Sequence, residues 1–238
     1  MTALRRLVLW DVDGTLVRAG PAARDAFARA VADVVGCSIE EVADHGVQMA
    51  GGTDPVIALE ILANLAIDDD QAHRHLPAVL EGLVRELAVA EHRIRAEGWV
   101  LPGIRELLAR LAARGDVVQS VLTGNLAPNA VVKLAAFRLD RFLRMELGAY
   151  GSDRHQRDEL VPVALDKVER ATGHRFDPRD VWVVGDTPKD LACARAAGTR
   201  CLLVATGVIP LEDLEHLGAD TVLADLSDVD AVEHLLTG

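Results

Sequence analysis

The sequence predicts an α/β fold: a parallel sheet covered by helices, split after its first strand by an all-helical block. Three observations predict it. Apolar runs of strand length recur along the chain, helical periodicities separate them, and one stretch of about 80 residues carries helical patterns with no strand run between them. Residues 4–10 end in Leu7-Val8-Leu9-Trp10, an unbroken apolar run of the kind expected for a strand buried on both faces. Residues 117–122, 181–184 and 201–204 read the same way, and 221–223 more weakly. Helical spacing joins Ile104, Leu107, Leu108 and Leu111, and again Leu160, Val163, Ala164, Leu165 and Val168. The pattern from Leu191 to Ala197 stops at Gly198, a C-terminal cap. Strands alternating with helices imply βαβ units.

The helical block begins where Pro21 opens a helix whose face carries Phe27, Ala30, Val31 and Val34, closed by Gly36. Asp54-Pro55 opens a second helix with Ile57, Leu59, Ile61, Leu62 and Leu65, and a third runs from about Pro77 to Glu97. Asp68-Asp69-Asp70 reads as a solvated helix start. Residues 18–20 and 98–102 read as hinges, so the expected division is a core of 1–17 and 98–238 around a block of 18–97.

The chain has 238 residues, half of them hydrophobic, and a formal net charge of -12. Such an acidic balance argues against partners that want a basic face, so neither nucleic acid nor an anionic membrane is expected. Three cysteines, Cys37, Cys193 and Cys201, form no CxxC pair and suit a reduced compartment; a cytoplasmic protein is expected, and none of the three is given a chemical role. Oligomeric state is not legible.

Each strong strand run ends in small polar residues: Asp11-Val12-Asp13-Gly14-Thr15, Thr123-Gly124-Asn125, and Gly185-Asp186-Thr187-Pro188-Lys189-Asp190. Ligands bind outside the carboxyl ends of strands in an open parallel sheet, so these stretches converge on one edge. That gathers Asp11, Asp13, Asp186 and Asp190. Clustered acids raise one another's pKa unless a cation neutralises them, and a hard divalent ion that keeps waters, Mg²⁺, is the natural partner. Alternation in an extended chain lets Asp11 and Asp13 point into one cleft, one to attack and one to move protons.

DVDGT, LTGN and GDTPKD, in that order and at strand ends, resemble the haloacid dehalogenase-like hydrolase superfamily. The helical insertion resembles the alpha-helical cap of its phosphoglycolate-phosphatase-like branch. The resemblance implies a doubly wound, Rossmann-like core. It implies Asp11 as a nucleophile that forms an aspartyl-phosphate, and Asp13 as the acid/base. It implies Mg²⁺ held by Asp11, the backbone carbonyl of Asp13 and Asp186, with Asp190 behind, orienting a metal water or the basic residue. Thr123 and Gly124 match the phosphate-gripping motif, and Asn125 joins them at the substrate. Residues 50–55 resemble the cap's specificity loop, which puts Thr53 at the substrate; a plain turn with Thr53 or Asp54 capping the helix fits equally.

The sequence departs from the family at its third motif, a lysine that pairs with the nucleophile. Only Lys133, Lys167 and Lys189 exist. Lys133 follows LTGN, the wrong place in that order, and Lys167 reads as a surface residue. The loop 148–157 stands where the motif belongs, so Arg157, or else Arg154, is expected to take the role, since a guanidinium suits bidentate phosphate contact. The expected function is a Mg²⁺-dependent phosphatase for a small phosphorylated metabolite; Asp13 argues against dehalogenation, whose enzymes lack an acid there. The alternatives are a phosphomutase of the β-phosphoglucomutase type and a non-catalytic member that binds a phosphorylated ligand.

Overall fold

The computed structural model describes residues 3–43 and 46–238. In chain order the elements are β1 (Arg6–Trp10), β2 (Val17–Arg18), α1 (Ala22–Val35), α2 (Ile39–Ala43), α3 (Asp54–Asn64), α4 (Asp69–Val89), α5 (Glu91–Glu97) and β3 (Trp99–Val100). Then come α6 (Ile104–Ala112), β4 (Val117–Thr123), α7 (Ala127–Ala136), β5 (Ala149–Tyr150), α8 (Leu160–Thr172) and β6 (Val181–Gly185). The chain closes with α9 (Pro188–Ala197), β7 (Arg200–Val204), α10 (Leu211–Glu215), β8 (Thr221–Leu223) and α11 (Val229–Thr237). Six strands form one parallel sheet in the order β5-β4-β1-β6-β7-β8.

β1 sits at the centre and is dry on both faces. Val8 and Trp10 pack into one apolar cluster, Leu7 and Leu9 into the other, and none of the four is exposed. Burying a side chain of this size contributes roughly 1.5–3 kcal/mol, which is why the run is unbroken rather than alternating. Register then fixes the chemistry. Trp10 lies opposite Val121 of β4 and Val184 of β6, so the residues that follow each strand emerge side by side at one edge.

The predicted strands all form. The third helix of the block differs from expectation: it starts at Asp69, with Asp68 Oδ1 accepting from the Gln71 N–H at 3.0 Å, and keeps Pro77 inside. The Asp68 cap and two aspartates in the first turn, Asp69 and Asp70, favour a start there, because carboxylates meet the positive end of the helix dipole. A break at Ala90 separates α4 from α5. The helices α1 to α5 surround an apolar cluster of their own, with Val31, Ile61, Leu62 and Val79 fully buried. The expected hinges, 18–20 and 98–102, overlap a two-stranded antiparallel ribbon, Val17 opposite Val100 and Arg18 opposite Trp99. No helix among the described residues is long and apolar enough to cross a membrane.

Candidate active site

Gly14 turns the chain after Asp13 with φ at 86°, and a Cβ there would stand 2.4 Å from Asp186 Oδ2. The turn following β1 and the end of β6 therefore approach closely only because residue 14 has no side chain. Asp11 and Asp186 are both buried, and with Asp190 they place carboxylate oxygens within 4.8 Å of one another. Asp190 is held on both oxygens: Oδ2 accepts from the Thr187 N–H at 3.1 Å and its hydroxyl at 2.7 Å, and Oδ1 accepts from Arg157. This is the capping box that starts α9. Asp186 receives one hydrogen bond among the described residues, from Thr15 Oγ1 at 3.2 Å.

Arg157 enters from a 3₁₀ turn at 157–159 ahead of α8, 8% exposed, and its Nη2 bonds both Asp11 Oδ1, at 2.8 Å, and Asp190. Burial works against its charge, but Asp190 and Asp11 hold the guanidinium's pKa above its ordinary range. Its backbone carbonyl accepts from Cys193 Sγ at 3.0 Å, and burial pushes that thiol up to about 11. Arg154 faces outward, to the Asp153 carbonyl and Glu159. Lys167, expected at the surface, is half-buried; its ammonium bonds the Gly148 carbonyl at 2.7 Å and Asp153 at 2.8 Å, tying down the loop that presents Arg157.

Burial raises Asp186 to about 8, with Asp11 and Asp190 adding repulsion that the Thr15 hydroxyl and Arg157 only partly offset. Burial likewise lifts Asp11 to about 6, against the pull of Arg157. One guanidinium among three buried carboxylates leaves an excess of negative charge that a divalent cation with oxygen ligands would match.

Lys133, which the motif order leaves without a role, also enters the cleft: its ammonium bonds Asp13 Oδ2 and Asn125 Oδ1, each at 2.6 Å, with the residue 6% exposed. Asn125 Nδ2 donates to Asp13 Oδ2 and to Thr123 Oγ1, both at 2.8 Å. Asn125 thus orients Asp13 and Thr123 rather than offering free donors. Asp13 itself stays half-exposed, its side chain at 44%.

Thr53, expected at the substrate, turns its hydroxyl away. Oγ1 accepts from the Val56 N–H at 3.4 Å, capping α3, and donates to the His155 carbonyl at 2.6 Å. Asp54 is then free to reach the sheet edge. Its Oδ2 accepts from the Leu126 N–H at 2.7 Å and from Asn129 Nδ2 at 2.9 Å, and its own N–H donates to the Gly124 carbonyl at 2.7 Å. The start of α7 is thereby capped from the helical block. A Cβ on Gly124 would lie 2.0 Å from the Gly52 carbonyl oxygen, so this contact also demands glycine. Above the carboxylates lies a cleft of about 410 Å³ bounded by Asp11, Asp13, Thr123, Lys133, Arg157 and Asp186 at its floor.

A parallel α/β sheet with acids and a buried arginine at the carboxyl ends of its central strands defines a class of hydrolase. The family model described as haloacid dehalogenase-like hydrolase matches residues 5–198, and the chain belongs to that family. Phosphoglycolate phosphatase 1 of Pseudomonas aeruginosa is 30% identical over 213 residues, covering 87% of this chain and 71% of that protein. A phosphoglycolate phosphatase of Cereibacter sphaeroides is 30% identical over 226 residues, covering 93% and 96%. Among solved structures, a predicted phosphatase from Clostridium acetobutylicum superposes with a TM-score of 0.71 at 17% identity, over 98% of this chain and 99% of that one. CbbY from Rhodobacter sphaeroides, solved in complex with phosphate, gives 0.66 at 20% identity over 95% and 96%. The structural likeness bears on the fold alone.

Proposed function

We propose that this hydrolase is a Mg²⁺-dependent phosphatase that acts on a small phosphorylated metabolite through a phosphorylated Asp11. A carboxylate oxygen of Asp11 bonds to phosphorus as the phosphorus–oxygen bond to the leaving alcohol breaks, and Asp13 gives its proton to that alcohol. Asp13 then takes a proton from water, whose oxygen attacks phosphorus. The Asp11–phosphorus bond breaks, and inorganic phosphate and the free carboxylate result. Dividing one displacement into two is the gain from a covalent intermediate, and acid/base help contributes roughly 10²–10⁴-fold.

Asp11, the Asp13 carbonyl and Asp186 would hold Mg²⁺, which when bound offsets the acids and draws charge from phosphoryl oxygens. Arg157 keeps Asp11 in place and anionic and faces the phosphoryl group; Asp190, saturated by Arg157 and Thr187, orients Arg157. Thr123 and the Gly124 N–H grip the phosphate, and Asn125 with Lys133 steers Asp13. The block 18–97 serves as a cap that closes over the core, hinged at the β2–β3 ribbon, which excludes water and selects substrate.

The observation that carries this reading is the bridge Arg157 makes between Asp11 and Asp190 while Asp186 lies in the same cluster. The phosphoglycolate phosphatases among its relatives support a phosphomonoester as substrate. Phosphate release from a panel of esters should require Mg²⁺ and stop with EDTA, and hydroxylamine should trap an acyl-phosphate as the hydroxamate of Asp11. Metal-independent chloride release from 2-haloacids, or turnover with no label on Asp11, would sink the mechanism.

A further inference from the structure

Beyond its floor the cleft changes character. Val17, Phe27, Met49, Ile57, Trp99 and Val208 line the remainder, together with alanines, glycines and two arginines. Arg18 donates to the Thr206 carbonyl at 2.6 Å and so turns its charge to the core. Arg24 lines the cleft, is exposed and has no protein partner among the described residues. Among the described residues, two further polar side chains line the cleft, and both are committed: Asn125 to Asp13, Thr123 and Lys133, and Asp54 to the Leu126 N–H and Asn129. A sugar or other polyhydroxylated leaving group would find no uncommitted neutral side chain there, and each hydroxyl left unpaired costs free energy.

Two large apolar side chains stand in water at the mouth of this same cleft: Trp99 is 55% exposed and Val208 63%. An exposed indole continuous with a buried apolar wall offers a flat face to a ring or chain bound between them. At about 410 Å³ the cleft falls within the range of sites that enclose a whole small molecule, far more room than a two-carbon acid fills.

We infer that the substrate is a phosphate ester whose leaving group is apolar and ring- or chain-bearing, seated on Phe27, Met49 and Ile57 and covered at the mouth by Trp99 and Val208. The inference rests on the phosphatase reading for its phosphoryl end. It treats these side chains as the determinants of specificity, and it disfavours sugar phosphates and hence sugar phosphomutase chemistry.

A series of ethyl, butyl and 3-phenylpropyl phosphates tests it, because their leaving alcohols differ little in acidity and much in apolar area. With Mg²⁺, kcat/KM for phosphate release should rise about fourfold per added methylene and should exceed that for phosphoglycolate and glycerol phosphate. Trp99→Ala should lower the phenylpropyl-to-ethyl ratio about 3- to 10-fold, and Val208→Ser should lower it less. A flat series, a preference for phosphoglycolate or glycerol phosphate, or a ratio unmoved by Trp99→Ala overturns the inference. Alkylphosphonates of the same lengths, titrated by calorimetry, read the wall without turnover. Their Kd should fall about fourfold per methylene even if no ester is hydrolysed, in which case the phosphatase reading fails alone; a flat Kd series overturns the inference directly.

Discussion

On the floor of the cleft Asp11, Asp13 and Asp190 each meet a cation, and Asp186 meets only the Thr15 hydroxyl among the described residues. Arg157 stands between Asp11 and Asp190, and Lys133 between Asp13 and Asn125. On the outer wall Phe27, Met49 and Ile57 present area without direction. Buried charge is tolerated best when paired at short range, so the floor is built of directed contacts, whereas an apolar wall can offer only size and shape. Chemistry and selection are thus separable, and each can be disturbed without the other.

The largest effect is expected at the floor. Asp11→Asn keeps the shape but removes the attacking charge, and kcat should fall about 10⁴- to 10⁶-fold while circular dichroism stays unchanged; appreciable residual turnover would take Asp11 out of the attacking role. Next, Arg157→Ala leaves Asp11 and Asp190 buried without their cation. Urea denaturation of the metal-free protein should show a loss of about 3–5 kcal/mol, partly restored in Arg157→Lys. If stability is unmoved, the bridge is not holding the floor together.

The smallest and most diagnostic effect concerns pH. Asp11 and Asp186 titrate above the ordinary carboxylate value, at about 6 and about 8. The folded protein therefore binds protons that the unfolded chain has released. Their contribution to stability is full below about pH 4 and is lost as pH climbs through those two values. Mg²⁺ at a hundredfold over its Kd should return about 2.7 kcal/mol, and the gain in Tm should be larger at pH 8 than at pH 5. A Mg²⁺ shift independent of pH would mean that the ion does not sit among these acids.

Much of the sheet could be read in the sequence, because strands buried on both faces leave unbroken apolar runs, as in 4–10 and 181–184. The β2–β3 ribbon could not, since two residues on each side carry no period. At the site, the three strand-end motifs mark the acids, but Arg157 and Arg154 are three residues apart in one loop and only burial separates them. Motif order separates Lys133 from the nucleophile, as the contacts do, but gives it no place beside Asp13. The signal lay in helix spacing: Asn129 and Lys133 are four apart on α7, the only strongly polar pair on a helix otherwise of Ala, Val, Leu and Pro, so one face carries both, Lys133 to Asp13 and Asn129 to Asp54. Thr53 and Asp54 were equal candidates for the start of α3 because either side chain can cap. Thr53 does so, and that choice sends Asp54 across to α7.

That crossing has a mechanical consequence. The Asp54 carboxylate terminates a helix that belongs to the other half of the molecule, and its amide holds Gly124 beside it. Any motion that lifts residues 51–54 must strip the Leu126 N–H, the Asn129 amide and the Gly124 carbonyl of their partners together. If the block opens as the proposed cap, these three contacts break as a set, and the loop carrying Thr123 and Asn125 loses its support with them.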